Sequence, residues 1–359
     1  MNRLLRHRIQ SASLACSSVR TCRSCVDSAF RRSVEERQRR QQVLGQHCSH
    51  LKCNCSSNSR DLWYREDGKS GEDLLALLRE TRSRSSSGKD ARNTGSGTVY
   101  LVGTGPGDPE LLTLKSVRLM RQADVVLYDR LVSEDILDMV NPKALMVYVG
   151  KQQSYHTRSQ EEIHELMQIF ANELGTGATV VRLKGGDPYI FGRGGEEVEY
   201  LGKLGVQAHS VPGITAAAGI AADLGIPLTH RGLATSVRFM TGHAREGGQS
   251  DIDSAMATAF DTHTTLVIYM GLGTLERTVD TLITGGLPKN MPAVAVEKGT
   301  TPEQRTVWST LEHLFHNVDE AGLVSPTLII IGNVVSLSKH WLLELNQRSD
   351  AHSPQCLSK

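Results

Sequence analysis

Three stretches carry residues whose types and spacing could do chemistry. The first is Gly103-Thr104-Gly105-Pro106-Gly107-Asp108. A dinucleotide pyrophosphate asks for G-x-G-x-x-G, but position 108 is Asp, Pro106 removes a backbone donor, and an acidic side chain repels phosphate. The glycines still let a ligand approach the backbone closely. The loop therefore suits a ligand other than a nucleotide phosphate, with a plain turn as the alternative reading. The second stretch runs from Gly185 to Glu197 and places five glycines within eleven residues, among Asp187, Arg193, Glu196 and Glu197. Each glycine adds backbone entropy that folding must remove, which is costly for a loop that only connects. The third is Val211-Pro212-Gly213-Ile214-Thr215-Ala216-Ala217-Ala218-Gly219, whose small residues suit close helix packing. Further on, Arg231 suits an anionic ligand through its planar fork, whereas a lone His230 is more often structural.

Each stretch follows an apolar run that reads as a strand. Strands are expected at 99–102, 125–128, 145–149, 179–183 and 207–211, with a helix at 111–122 carried by Leu111, Leu114, Val117 and Leu119. Ser159 followed by Glu162 is a capping-box signature that opens a helix to Leu174. Strands separated by helices imply right-handed crossovers and a parallel sheet. A second set of strands is expected at 236–241, 265–270, 293–297 and 328–332, with helices near 275–284 and 310–316. The fold class is thus α/β, with two lobes at 98–228 and 229–345 and a ligand site in the crevice between them, at the strand C-termini.

Composition divides the 359 residues further. The first 97 residues carry 19 Lys+Arg against 10 Asp+Glu, and the remaining 262 carry 21 against 29. The body is therefore acidic, which disfavours a nucleic-acid partner, and no apolar run approaches the ~20 residues of a membrane span. Six of the seven cysteines lie in the first 55 residues, and 56–355 has none, so no disulfide holds the body together. Residues 1–32 hold seven arginines and a single acid, Asp27, with frequent Ser and no apolar run. That is the composition of an organelle transit segment, with an ordinary disordered basic tail as the alternative. His47, Cys48, His50, Cys53 and Cys55 have metal-ligand types, but structural zinc sites usually combine two pairs across a spacer. The expected organisation is a transit-like disordered leader at 1–55, a polar linker at 56–97, the two lobes, and a tail at 346–359.

The strand-end loops together carry a resemblance. VGTGPGDPELLTLK at 102–115, VVLYDRLVS at 125–133, RLKGGDPYIFGRGGEE at 182–197 and VPGITAAAGIAADLGIPLTHRG at 211–232 resemble the tetrapyrrole (precorrin) methyltransferase family, as do TTLVIYMGLG at 264–273 and AVAVEKGTTPEQRTV at 293–307. The resemblance covers nearly the whole body and none of the leader. One departure is Gln152 after Lys151, where another basic residue is common.

The resemblance implies S-adenosyl-L-methionine as methyl donor and no metal. It places cofactor contacts on Pro106, Gly185, Gly186, Asp187, Ile190, Thr215, Ala216, Met270 and Gly299. By residue chemistry Asp187 suits the ammonium of the methionine moiety, and Ile190 and Met270 suit adenine, with a strand-end core residue as the lesser reading of Met270. The implied substrate is uroporphyrinogen III, methylated twice to precorrin-2 for sirohaem synthesis. Arg193, Glu196 and Arg231 fall at substrate-handling positions, where arginine forks suit carboxylates. Asp129 and Lys151 fall at the nominal acid/base pair, and each reads equally as a surface charge. The resemblance also implies a homodimer and a plastid location, with the mitochondrion second. Other readings remain: a different methyl acceptor, a non-catalytic S-adenosylmethionine-binding regulator, or a nucleotide-dependent oxidoreductase, the last disfavoured by Pro106 and Asp108.

Overall fold

The computed structural model of the chain describes residues 95–150, 159–242 and 259–343. The leader, the linker up to position 94, Lys151 and the tail lie outside the described residues.

The first half builds a parallel sheet. Strands β1 (Thr98–Gly103), β2 (Val125–Tyr128), β3 (Leu145–Tyr148), β4 (Thr179–Lys184) and β5 (Ala208–Val211) are ordered β3-β2-β4-β1-β5. Every neighbouring pair is parallel. Parallel neighbours need crossovers, and helices α1 (Leu114–Gln122), α2 (Glu134–Leu137), α3 (Gln160–Leu174) and α4 (Gly194–Lys203) supply them. Helix α3 opens on the expected capping box: Glu162 N donates to Ser159 Oγ (3.2 Å), and Ser159 N donates to Glu162 Oε2 (2.7 Å).

Helix α1 differs from its expectation. A 3-10 turn occupies Pro109–Leu111, and Thr113 then caps α1 by accepting from Ser116 N (3.1 Å). Ser116, Leu119 and Met120 share the buried face at helical spacing, and Leu114 lies off it, 91% exposed.

The second half forms a mixed sheet. Strands β6 (Ser236–Thr241), β7 (Thr264–Tyr269), β8 (Pro292–Glu297), β9 (Arg305–Thr310) and β10 (Thr327–Ile331) are ordered β6-β7-β10-β8-β9. β6 and β7 are parallel, while β10 runs antiparallel to β7 and β8, and β9 antiparallel to β8. β9 has no counterpart in the sequence expectation. Its Arg305 and Thr306 are exposed, as befits an edge strand, so no apolar run marks it. The helix expected at 310–316 is a 3-10 turn, Leu311–His313, followed by a helix at Leu314–Glu320.

Helix α5 (Ala216–Asp223) follows the parallel sheet in the chain but buries its apolar side elsewhere. Ala217, Ile220 and Ala221 pack with Val267, Val294, Val296 and Ile330 of the mixed sheet. Alternate residues of β8 explain how both faces of that sheet are filled. Val294 and Val296 point to the α5 side, while Ala293 and Ala295 join Leu266, Ile268 and Ile329 on the other. A fully buried Ile contributes roughly 1.5–3 kcal/mol, so α5 is bound to the mixed sheet by its core contacts. The parallel sheet has its own core, built on Val102, Leu119, Met120, Val126, Val181 and Leu183.

Candidate active site

The loops at the C-terminal ends of β1, β4 and β5 meet where glycine alone fits. A Cβ on Gly213 would lie 2.2 Å from Gly186 O, and one on Gly103 would lie 2.5 Å from Gly213 N. Gly105 and Gly186 exchange backbone hydrogen bonds, with Gly186 N donating to Gly105 O at 2.7 Å. Asp187 ties two of the loops: Oδ2 accepts from Gly213 N (3.1 Å), and Oδ1 accepts from Tyr189 N (2.8 Å). Gly186 is less crowded on the side of α5. A Cβ there would meet only Ala216 N at 3.8 Å and Thr215 Cα at 3.9 Å. The β4 loop therefore faces the start of α5 across little more than a van der Waals contact.

The same loops touch the mixed sheet and its helix. Pro106 packs against Gly219 of α5, where a Cβ would come within 2.6 Å of its ring. Gly299, after β8, faces Ile220 of α5 at a similarly tight 2.4 Å. Asp108 N donates to Thr300 Oγ1 (3.3 Å). The cofactor candidates Pro106, Gly185, Gly186, Asp187, Ile190, Thr215, Ala216 and Gly299 thus sit on loops that touch one another or α5. Met270 directly follows β7 and is 51% exposed, so it is not a core residue. Among the described residues, the non-glycine positions with positive φ are Phe191, Arg193, Met270, Lys298 and Thr300, all in these strand-end loops. Strained backbone of this kind persists where surrounding structure enforces it, and it concentrates at ligand sites.

The charged candidates divide into groups. Arg193, at the N-terminus of α4, holds Glu196 with two hydrogen bonds, Nε to Oε1 (3.0 Å) and Nη2 to Oε2 (2.6 Å). Both side chains are about half exposed. The bond to Glu196 raises the Arg193 guanidinium above its already high range, so Arg193 is no proton acceptor. Arg231 stands exposed in a separate turn, closed by paired His230 and Ala234. Asp129 follows β2 and is four-fifths buried. Its carboxylate accepts from Arg182 Nη2 (2.7 Å) and Leu131 N (3.0 Å). Leu131 lies against Gly185, where a Cβ would meet it at 2.9 Å. Asp129 therefore sits beside the Gly185 loop rather than on an open surface.

Sequence reasoning missed a buried charge network beneath this loop. Arg182 and Lys184 alternate along β4, and both are buried. Lys184 Nζ donates to both oxygens of the fully buried Glu197, and Gln160 Nε2 donates to Glu197 Oε1 (3.0 Å). Burial first, and Arg182 second, press the Lys184 ammonium below its usual range. Gln160 also reaches His164 Nε2 (3.1 Å), and the imidazole stacks on Tyr200 at 4.8 Å. Two cations two apart in an otherwise apolar strand were the available signal, since buried charges need partners.

Tyr269, at the end of β7, was also missed. Burial raises its phenol above the usual range. Its ring packs against Phe191 at 5.0 Å and Phe239 at 6.0 Å.

A separate cavity of about 480 Å³ opens beside α5, lined by Asp108, Ile214, Ala218, Asp223, Thr300 and Gln304 among others; none of the cofactor candidates lines it. Among the described residues, no group of three or more His, Cys, Asp or Glu side chains could hold a metal ion. The His47–Cys55 cluster lies outside them.

Residues 98–314 match the sequence profile of the Tetrapyrrole (Corrin/Porphyrin) Methylases. The chain is 60% identical over 268 residues to the "S-adenosyl-L-methionine-dependent uroporphyrinogen III methyltransferase, chloroplastic" of Arabidopsis thaliana, an overlap of 75% of this chain and 71% of that protein. It is 52% identical over 248 residues to the siroheme synthase of Acinetobacter baylyi, covering 68% of this chain and 53% of the relative. The chain thus spans about half the length of that bacterial protein. Among solved structures, it is similar to a uroporphyrin-III C-methyl transferase from Thermus thermophilus complexed with S-adenyl homocysteine. That likeness has a TM-score of 0.56 and 44% identity, over 67% of this chain and 100% of the other.

Proposed function

The chain belongs to the tetrapyrrole (corrin/porphyrin) methylase family, and we propose that it methylates carbon on uroporphyrinogen III with S-adenosyl-L-methionine as donor. The observation that carries this reading is the convergence of the β1, β4 and β5 loops on Gly103, Gly186 and Gly213, facing the start of α5. The chain's residues fit the donor. The glycines at 185 and 186 bare the backbone to a ligand, Asp187 is held by Gly213, and Met270 presents an exposed apolar side chain.

S-adenosyl-L-methionine supplies a methyl group on a sulfonium with a good leaving group, so no covalent enzyme intermediate is required. The pyrrole carbon that receives the methyl is already electron-rich and enamine-like. What remains for the protein is to hold carbon, methyl and sulfur in line, and such orientation can contribute roughly 7–11 kcal/mol of barrier lowering. Arg193 and Arg231 clamp substrate carboxylates. The Arg193 fork is held by Glu196 in a half-exposed pair, and pairs of that kind are worth only about 0–1 kcal/mol. A carboxylate of the substrate therefore displaces Glu196 at little cost. Asp129, beside Gly185, and Lys151, outside the described residues, are read as the acid/base pair.

Two successive transfers give precorrin-2 for sirohaem synthesis. The 60% identical chloroplastic relative and the leader composition support a plastid location, with residues 1–55 as transit segment, 56–97 as linker, lobes at 98–228 and 229–345, and a tail at 346–359. We read the enzyme as a homodimer, which light scattering tests. The function itself is tested by incubating the protein with uroporphyrinogen III and donor carrying a labelled methyl. Label recovered in the pigment supports the reading; label retained in the donor rejects it.

A further inference from the structure

Helix α5 is capped from the other sheet. Thr215 is its N-cap residue, with extended backbone, but makes no side-chain cap of its own. Tyr269, from β7 of the mixed sheet, does this instead. Its Oη accepts from Ala217 N (3.0 Å) and shares a 2.6 Å hydrogen bond with Thr215 Oγ1. A phenol has one hydrogen and remains an acceptor through its lone pairs. With Ala217 N–H on one lone pair, Tyr269 keeps its hydrogen and a second lone pair, so the bond to Thr215 Oγ1 holds with either hydroxyl as donor. Thr215 and Ala216 lie directly across from Gly186, where a Cβ would touch both.

We propose that Tyr269 is a positioning residue for the methyl donor: its hydroxyl, brought in from the mixed sheet, holds the Thr215 side chain in place at the donor site. The proposal rests on the reading of the junction between Gly186 and Thr215 as the donor site. Three features make Tyr269 rigid enough for the task. Its ring is packed between Phe191 and Phe239, it ends a central segment of the β6-β7-β10 array, and α5 is anchored on the same sheet by Ile220 and Ala217. The burial that raises its phenol keeps the hydrogen in place across the neutral range. The consequence is a coupling between halves of the fold, because Thr215 at the start of α5 is held by a residue of the mixed sheet.

Tyr269→Phe removes one oxygen and keeps the ring. Calorimetric titration with S-adenosylhomocysteine is expected to show affinity reduced about 10-fold, with KM for the donor raised far more than kcat is lowered. Thr215→Val is expected to do the same, and Thr215→Ser to restore binding. Because each change deletes the other's partner, the double variant Thr215→Val/Tyr269→Phe is expected to bind about as weakly as the worse single variant. Asp187→Ala separates the two levels of inference. If Asp187→Ala and Thr215→Val weaken binding and Tyr269→Phe stays within twofold of wild type, the positioning role is wrong while the donor site stands. If the Thr215 and Tyr269 effects multiply, the residues act independently and the proposal also fails. If none of the three changes alters binding, the donor site itself is misplaced.

Discussion

Lys184 Nζ lies 3.0 and 3.1 Å from the two carboxylate oxygens of Glu197, and the Glu197 side chain is wholly shielded from solvent. The pair joins the end of β4 to the first turn of α4. It therefore fixes both ends of the loop that carries Gly185, Gly186, Asp187 and Arg193. Lys184→Met leaves Glu197 buried with Gln160 as its main remaining donor. Removing one partner of a buried pair costs about 3–5 kcal/mol, so urea unfolding is expected to show a loss of that order. The double variant Lys184→Met/Glu197→Leu is expected to recover most of it. A single variant as stable as wild type contradicts the assignment.

Gly213→Ala tests the junction of the loops. The added carbon would sit 2.2 Å from a backbone carbonyl oxygen, which cannot swing aside as a side chain can. Overpacking of this kind costs roughly 1–3 kcal/mol. Loss of stability together with loss of S-adenosylhomocysteine binding is the expected outcome, read by thermal unfolding and calorimetry. An alanine variant that binds normally means the junction lies away from the donor.

Arg193→Lys separates the two halves of the site. Lysine keeps the charge and loses the planar fork. Donor affinity is expected to stay near normal while methyl transfer falls at least ~10-fold, a barrier rise of about 1.4 kcal/mol. Wild-type turnover reduces Arg193 to a surface charge paired with Glu196. Lost donor binding makes it a scaffold of the loop instead.

The glycine loops were legible in the sequence because their constraint is local: a crowded backbone excludes every side chain but hydrogen, and the pattern records it. The parallel sheet was legible for a similar reason, since strands buried on both faces are continuous apolar runs. The edge strand β9 was hidden by its exposed Arg305 and Thr306, and Leu114 misled as an apolar residue on the solvent side of α1. Partnerships over long separations left no local trace. Ala217 and Ile220 mark α5 as a helix, but nothing near them says that it packs on the mixed sheet, or that Tyr269 caps it. The Arg193–Glu196 pair was within reach of sequence reasoning, being three residues apart on a helix start.

His164 gives the fold a pH dependence with a defined sign. Burial holds its imidazole below the ordinary 6.5, against the opposing pull of Glu197, Glu161 and Glu196. Gln160 donates to Nε2, which favours the neutral ring. Below about pH 6.5 the unfolded chain therefore binds more protons than the folded one, and stability is lost as pH falls from there to the lowered folded value. Urea midpoints at about pH 7.5 and 5.5 are expected to differ more for wild type than for His164→Gln. Equal differences in the two proteins remove His164 as the cause.

The most direct measurement of the account counts methyl groups. The protein is incubated with uroporphyrinogen III and excess S-adenosyl-L-methionine, and pigment mass is followed alongside S-adenosylhomocysteine release. Two methyl groups are expected to enter each tetrapyrrole, with one S-adenosylhomocysteine formed for each. A folded protein that binds S-adenosylhomocysteine yet leaves the tetrapyrrole mass unchanged would contradict it.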